Sequence, residues 1–501
     1  MRKWLYLMAL VVVIGLLSTA YYITGIKAQQ EFHTFLKSAN NIPNLTVEAL
    51  DYQRGWLKST VKLHVTLHRP EQQIVQKNAT TILPAQDIAF TFDTKLYHGP
   101  IIIADKSIML GLGYAKTKIP LPEQMIKEFD TLFTSDSTKP NLCLSLLLKF
   151  RDKLLIRLSI PSFKLYAKES NNGQLEWKGI NSAWKLSSDL KQIKGKLKFH
   201  GMVFKNDQTN GEVKPIKIYY NVYKHPNNLL SGKIAFHLDG LKFNMEDKKQ
   251  ITVEKVNIVS KSHLDNERVN SSLKVNLDKA TVDEKTYGPG KLKIVLRNLD
   301  AKTLSEIQNQ LQTITNGNLT DSQRQLMVLV LLPKLPKLVE KGAQFEVKTL
   351  KFNLPEGVID AKANVSLPDI TTSDTSKTEV LMMNNPMQLI NQIQANADIS
   401  LPSLWLKETL AALVESKIRQ HQITQQQLVQ NDEEVNSNST PQLLSDQEMA
   451  HLAKEKADNR IANWVKNGIL IEKNGTYQLN IVFKNGSLTV NDKPFTGTTL
   501  Q

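Results

Sequence analysis

A chain of 501 residues with 63 Lys and Arg against 48 Asp and Glu carries a formal net charge of +15. That length suits two to four domains or one long β-rich body, and it is enough to bury a large core. The one cysteine, Cys143, excludes an intrachain disulfide; between Leu142 and Leu144 it reads as a buried structural thiol on a strand rather than a nucleophile.

Met1-Arg2-Lys3 is followed by 23 uncharged residues, Trp4 to Ile26, and Lys27 closes the run. At about 1.5 Å per residue such a helix crosses a hydrocarbon core of about 30 Å. Positive charge ahead of the run predicts a cytoplasmic N-terminus, with the rest of the chain beyond the cytoplasmic membrane. Ser18-Thr19-Ala20 offers the rival reading of a signal peptide cleaved after Ala20. Tyr21 and Tyr22 favour an uncleaved anchor, since tyrosines suit the far interface.

Residues 28–44 read as a polar juxtamembrane helix and linker, broken near Pro43. From Leu45 to about residue 302 the pattern is mostly alternation, as in Val61 to Leu67 and Lys214 to Tyr223, which predicts half-buried antiparallel strands. A loose repeat of the type Gly195-Lys196-Leu197-Lys198-Phe199 returns at Gly232, Ser272 and Gly290 with irregular spacing. It suggests one meander unit reused, not a solenoid.

Residues 303–501 read as an α+β region. Thr303 and Glu306 fit a capping box, and helices are expected near 303–342, interrupted by Pro333 and Pro336. Ser403 is expected to cap a helix over 403–420 with Leu404, Leu410, Leu413, Val414 and Ile418 on one face. After a Gln/Asn-rich stretch, a helix over 446–466 leads to a terminal hairpin turning at Asn485-Gly486.

Residues 191–300 hold 21 Lys and Arg against 12 Asp and Glu. Lysines alternate with apolar residues at Lys196 and Lys198 and again at Lys291 and Lys293, so on a strand they share one face. Such a face is either solvated and edge-protecting or a contact for anionic lipid headgroups and other anionic envelope components. No aromatic-basic motif supports nucleic acid.

Chemistry is sparse. No zinc-protease motif, P-loop, nucleophile elbow or paired-cysteine site occurs, and neither a cofactor nor a metal is expected. Ser59-Thr60-Val61-Lys62 fits Ser-x-x-Lys but lies on an apparent strand without companion motifs. His64 and His68 share a strand face too far apart for one metal ion. His98-Gly99-Pro100 reads as a turn in which His98 makes a bracing hydrogen bond, Gly99 takes an unusual backbone angle and Pro100 ends pairing. In Arg54-Gly55-Trp56, Gly55 is expected at positive φ and Trp56 is expected to start a strand with its ring packed inward.

Tyr52, Arg54, Gly55, Trp56 and Ser59, followed by His98, Gly99 and Pro100, resemble motifs of the YdgA-like family of bacterial envelope proteins, a domain of unknown function. Gly288-Pro289-Gly290-Lys291-Leu292, Leu335-Pro336 through Phe352, and Asn485 to Lys493 are similar to its later motifs, in the same order. The resemblance implies an anchored envelope protein with no assigned reaction and carries over no catalytic residues.

The expected fold is α+β, predominantly β: an N-terminal transmembrane helix over 1–27, then a long curved antiparallel sheet with helices packed on one side. The expected protein is a single-pass inner-membrane protein, N-terminus cytoplasmic and bulk periplasmic. It serves envelope maintenance or binds lipid, without enzymatic activity. The alternative is an assembly scaffold that forms a homodimer or binds proteins through sheet edges. An envelope hydrolase ranks last.

Overall fold

The computed structural model describes residues 2–40, 44–69, 72–76, 79–119, 121–150, 153–169, 173–187, 191–245, 249–316, 330–369, 390–431 and 444–495. The chain is mostly β, with a large antiparallel sheet and several helices. It divides into two compact units: Met1–His225 with Gly232–Thr252, and Pro226–Ser231 with Val253–Gln501.

The first unit opens with α1 (Arg2–Ala39), one continuous helix that joins the expected anchor and juxtamembrane segments. Among the described residues no helix is long and apolar enough to cross a membrane. The surroundings of α1 change along its length. Val13 through Leu17 are exposed on every side of the helix. Ala28, Phe32, Leu36 and Ala39, spaced to form one stripe, are buried.

That stripe packs on the first strands: β1 (Leu45–Arg54), β2 (Lys58–Arg69), β5 (Gln86–His98) and β8 (Gly113–Ile119). Phe32 and Leu36 meet Val61, Leu63, Leu96 and Ala115 there. Between these strands lie two separate hairpins, β3 (Gln72–Gln76) with β4 (Ala79–Leu83), and β6 (Ile101–Ala104) with β7 (Ser107–Leu110). Past α2 (Glu123–Leu132) come β9 (Leu142–Lys149), β10 (Lys153–Ile160), β11 (Phe163–Tyr166), β12 (Gln174–Trp177) and β13 (Ile180–Leu186). β14 (Gln192–Phe199), β15 (Met202–Lys205), β16 (Thr209–Val213), β17 (Ile216–Lys224) and β18 (Leu230–Met245) complete the strands of this unit's main span.

Antiparallel pairing runs β1–β2–β5–β8–β9–β10–β13–β14–β17. A second run is β11–β12–β15–β16–β18. The two runs are joined where four chain segments bend, at Pro161, Gly179, Gly201 and Pro215. Gly179 and Gly201 take φ of 101° and 110°, and a Cβ on Gly201 would come within 2.5 Å of the Val213 carbonyl. Only glycine fits such a bend. The Lys178 N–H donates to Gly201 O, and the His200 N–H to Gly179 O, so the backbone stays paired through it.

The second unit carries β19 (Gln250–Asp265), β20 (Arg268–Val282), β21 (Lys285–Tyr287) and β22 (Gly290–Asp300). To these it adds β23 (Gln344–Leu354), β24 (Gly357–Ser366) and β25 (Gln394–Pro402), then β26 (Ile471–Lys473), β27 (Thr476–Lys484), β28 (Ser487–Val490) and β29 (Lys493–Pro494). β20–β22–β23–β24–β25–β27–β28 pair antiparallel in that order. The terminal hairpin turns at Asn485-Gly486, both at positive φ, as the sequence predicts.

Of its helices, the one expected over 446–466 is found with those bounds, and the others differ from expectation. α3 (Ala301–Asn316) starts before Thr303, because the Asp300 carboxylate accepts from the Thr303 N–H at 2.7 Å and is the cap. Glu306 does not reach back; it pairs with Lys334 at 2.8 Å. The expected second helix, from about Asp321 towards Gly342, lies outside the described residues up to position 329. Beyond it the chain forms a 3-10 turn, Leu332–Lys334, and the short α4 (Leu335–Val339), as the two prolines require.

α5 (Ser403–Asn431) is longer than expected, and the Ser403 hydroxyl donates to the Gly475 carbonyl rather than capping the helix. Leu406 and Leu410 pack beside Ile461, Leu470 and Tyr477, while Leu404 and Leu413 are exposed. α6 (Asp446–Lys466) begins with a full capping box between Ser445 and Glu448 and buries Met449, Ala453, Ala457 and Ile461. The Gln/Asn-rich stretch, 419–446, continues α5 as far as Asn431 and lies outside the described residues over 432–443.

Candidate functional site

The motif residues Tyr52 to Ser59 and His98 to Pro100, far apart in sequence, meet against the middle of α1, around Tyr21 to Gly25. β2 and β5 pair so that Ser59 stands opposite Leu96, and the His98 N–H donates to Leu57 O at 3.1 Å. Ser59 Oγ and His98 Nε2 are then 3.3 Å apart. Gly25 of α1 lies over the imidazole; a Cβ there would be 3.0 Å from Nδ1. Next along the helix, the Tyr21 ring covers Gly99, whose φ is +130°. The Tyr21 hydroxyl donates to Ile101 O at 2.6 Å. The Arg54 guanidinium sits 4.8 Å from the centre of the Tyr22 ring.

Electrostatics follow from burial. Burial lowers the His98 pKa, outweighing a nearby Gly55 backbone group, so the imidazole is neutral at pH 7. Burial likewise raises the Tyr52 pKa against the pull of Ser59 and Arg54. Its hydroxyl finds no partner of normal hydrogen-bond geometry, and neither does His98 Nδ1. A pocket of about 210 Å³ opens between Tyr21, Tyr22, Gly25, Arg54, Gly55, Trp56 and His98; Ser59 is not part of its lining.

Two expectations at this motif are corrected. Gly55 is not at positive φ. It is needed because a Cβ would come within 2.4 Å of the Lys58 carbonyl, to which the Gly55 N–H donates across the turn. Trp56 neither starts a strand nor packs inward: β2 begins at Lys58, and the indole is 59 % exposed. Gly99 takes φ +130° and β5 ends at His98, as the sequence suggests, but His98 bonds Ser59 on the neighbouring strand instead of bracing its own turn.

A second site lies on the sheet of the first unit. Strand register aligns Lys116, Ser145, Arg157, Ala183, Lys196 and Tyr219 in one row across β8, β9, β10, β13, β14 and β17. The next row is Lys118, Cys143, Ser159, Asn181, Lys198 and Lys217. Residues of both rows floor a cleft of about 770 Å³, and Asp105, Ser107 and Met109 of the β6–β7 hairpin contribute to its lining. Asp105 is already engaged. It accepts from the Tyr114 hydroxyl and pairs with Lys116 at 3.0 Å. Those contacts hold its pKa low, the Tyr114 bond foremost, while burial and the same bond push the Tyr114 phenol up to about 12.

Among the described residues, Arg157, Lys196 and Lys198 make no ion pair. Cys143, expected to be buried, is half-buried here. Lys291 and Lys293 belong to the second unit. They are exposed on β22, where Lys291 stands opposite Lys351 and Lys293 opposite Lys274. Like charges face to face weaken a sheet.

The other face of the same first-unit sheet is apolar. Register gives the rows Leu148, Leu154, Leu186, Ile193, Val222 and Leu146, Ile156, Trp184, Gly195, Tyr220. Gly195 makes room for the Trp184 and Tyr220 rings on either side. These side chains are half-buried, not buried.

His64 bonds Thr91 Oγ1 at 2.9 Å, and His68 bridges Thr46 and Asp87. Among the described residues no group of three or more His, Cys, Asp or Glu could hold a metal ion. Sequence reasoning did not find Tyr21, Tyr22, Gly25 or Arg157 as site residues. The signal for Gly25 was its place beside Ala28 on the stripe that buries Phe32 and Leu36. The signal for Arg157 was a lone charge amid the apolar run of β10.

Fold and sites define a two-unit β-rich protein whose N-terminal helix packs on its own sheet. The chain belongs to a family described as bacterial protein of unknown function (DUF945), whose family model matches residues 1–497. No curated protein and no solved structure matches it significantly.

Proposed function

We propose that this is a membrane-anchored, non-enzymatic envelope protein that binds lipid. The observation that carries the reading is the apolar face of β9, β10, β13, β14 and β17: registered rows of Leu, Ile, Val and aromatic residues that the fold leaves half-buried. Such a surface suits acyl chains. The bends at Pro161, Gly179, Gly201 and Pro215 support a curved sheet that could wrap them. Arg157, Lys196 and Lys198 on the opposite face, without ion pairs among the described residues, give anionic headgroups a separate foothold.

Anchorage is supported by the uncharged run Trp4 to Ile26 and by Val13 to Leu17, apolar and glycine residues exposed all round the helix. That arrangement is costly in water and natural in hydrocarbon. Arg2 and Lys3 ahead of the run favour a cytoplasmic N-terminus and periplasmic units. The resemblance to the YdgA-like family favours the same address. Against catalysis stands the Ser59–His98 pair: Ser59 is buried away from the pocket, and among the described residues no carboxylate bonds the imidazole.

The test is native mass spectrometry of the full chain in detergent, with lipid extraction. Co-purifying lipid that is lost in Ile156→Glu supports the reading. Lipid-free protein overturns it, and lipid-free dimers favour the scaffold.

A further inference from the structure

The β6–β7 hairpin breaks the usual rule for a surface hairpin. Its inward residues Ile102 and Ala104 are buried with Tyr114, Leu147 and Leu155, as a hairpin packed on a sheet requires. Yet its outward face is also aliphatic. Ile101 pairs with Leu110 and Ile103 with Ile108, and Ile103, Ile108 and Leu110 are 71 %, 73 % and 64 % exposed. A sheet with one wet face ordinarily alternates apolar and polar side chains. Four clustered outward aliphatics mark a contact surface.

We infer that the outward face of this hairpin, with Trp56 and Leu57, rests in the interfacial layer of the membrane that α1 enters. The inference rests on the anchored reading of α1 and goes beyond it. Three observations select lipid as the occupant. The Tyr21 hydroxyl holds the hairpin backbone at Ile101, so the patch is fixed where the uncharged run of α1 nears its end. Trp56, beside Tyr21 and Tyr22 in the same pocket, is exposed, as is Leu57; aromatic residues at that level suit the headgroup boundary. Exposed cations flank these residues in sequence, Arg54 and Lys58 around Trp56 and Leu57 and Lys106 at the hairpin turn, and their sign complements anionic headgroups. The one acid of the hairpin, Asp105, is turned to Tyr114 and Lys116. The first unit would thereby be held at two places, and its orientation on the bilayer fixed.

The experiment uses the full chain with Cys143→Ser, reconstituted in vesicles of mixed neutral and anionic lipid. Single cysteines replace Leu16, Ile103, Ile108 or Leu132 and carry a nitroxide. Collision with oxygen, which concentrates in lipid, is compared with collision with a water-soluble nickel chelate. The oxygen-to-nickel ratio is expected to be several-fold higher at Ile103 and Ile108 than at Leu132, the exposed end of α2. A lipid signal at Leu16 with an aqueous Ile108 overturns this inference and leaves the anchor standing. An aqueous Leu16 overturns the anchored reading itself. Spin–spin broadening at Ile108 that disappears on dilution with unlabelled chain would give the patch to a second copy instead, and also overturns the inference.

Discussion

Ser59 Oγ and His98 Nε2 face each other at 3.3 Å on neighbouring strands, with Ser59 1 % and His98 2 % exposed. A serine and a histidine at that distance invite a catalytic reading. Their setting gives them a structural one, because α1 closes over the imidazole and the pair joins β2, β5 and the helix in one place.

His98→Ala should therefore destabilise the protein by about 2–4 kcal/mol, through a cavity and an unsatisfied buried hydroxyl. Burial depresses the folded pKa of His98, so the unfolded state takes up its proton first. The contribution is fully present above the unfolded value of about 6.5 and is lost as pH falls from there towards the folded pKa. Denaturant titrations of both proteins between pH 7.5 and 5 check this. The stability gap should narrow on acidification, and a gap that widens would contradict the assignment.

Gly99 supports the same junction from the turn. At φ +130° a side chain is strained, and a Cβ would lie 2.0 Å from the Tyr21 ring. Gly99→Ala is expected to cost about 1–3 kcal/mol from backbone strain alone, with the collision added. In a double-mutant cycle, Tyr21→Ala should recover the collision but not the strain. Additive losses, measured by thermal unfolding, would mean that helix and turn do not touch.

How much of this was legible in sequence depends on the range of the interaction. Alternation exposed the strands from Val61 to Leu67, and Asn485-Gly486 exposed the last hairpin, because both signals are local. The Thr303 box misled, because a better cap, the Asp300 carboxylate, stood three residues earlier at the end of a strand. Leu404 and Leu413 lay on a correct helical period, but which stripe is buried was decided by Tyr477 and Leu470, distant in sequence. At the site, the motif residues were visible and their meeting point was not. That point depends on the β2–β5 register and on Gly25 and Tyr21, in a helix whose apolar character suggested only a membrane.

In the second unit, Asp300 is almost wholly buried and pairs with Lys341 at 2.7 Å while capping α3. Burial alone would raise its pKa, but the bonds from Lys341 and Thr303 hold it below the usual carboxylate value. Its stabilising contribution is present above the unfolded value of about 3.9 and is lost as pH falls through the folded pKa. Asp300→Ala should cost about 2–4 kcal/mol, since it removes the cap and leaves the largely buried Lys341 ammonium with Glu267 alone, at 3.1 Å. Asp300→Asn, which can still cap, should cost less. Equal losses in urea unfolding would assign the whole effect to the ion pair.

The four lysines singled out by alternation are divided between two environments, and this yields a discriminating prediction. Lys196 and Lys198 share a cleft with Arg157 and lack ion pairs among the described residues, so three cations line one cleft. Lys291 and Lys293 are exposed beside Lys274 and Lys351 on a strand of the second unit. The full chain in neutral nanodiscs should bind anionic vesicles and release them as salt rises, because the Debye length falls from about 10 Å at 0.1 M to about 3 Å at 1 M. Replacing Arg157, Lys196 and Lys198 together by Gln should weaken binding several-fold and flatten the salt dependence. Replacing Lys291 and Lys293 should do less, and should leave thermal stability unchanged or slightly raised by relieving like-charge repulsion across the sheet. Vesicle co-flotation across a salt series reads both. Equal weakening by the two sets would make the lysines a diffuse basic surface, and no weakening by either would return them to solvated strand faces.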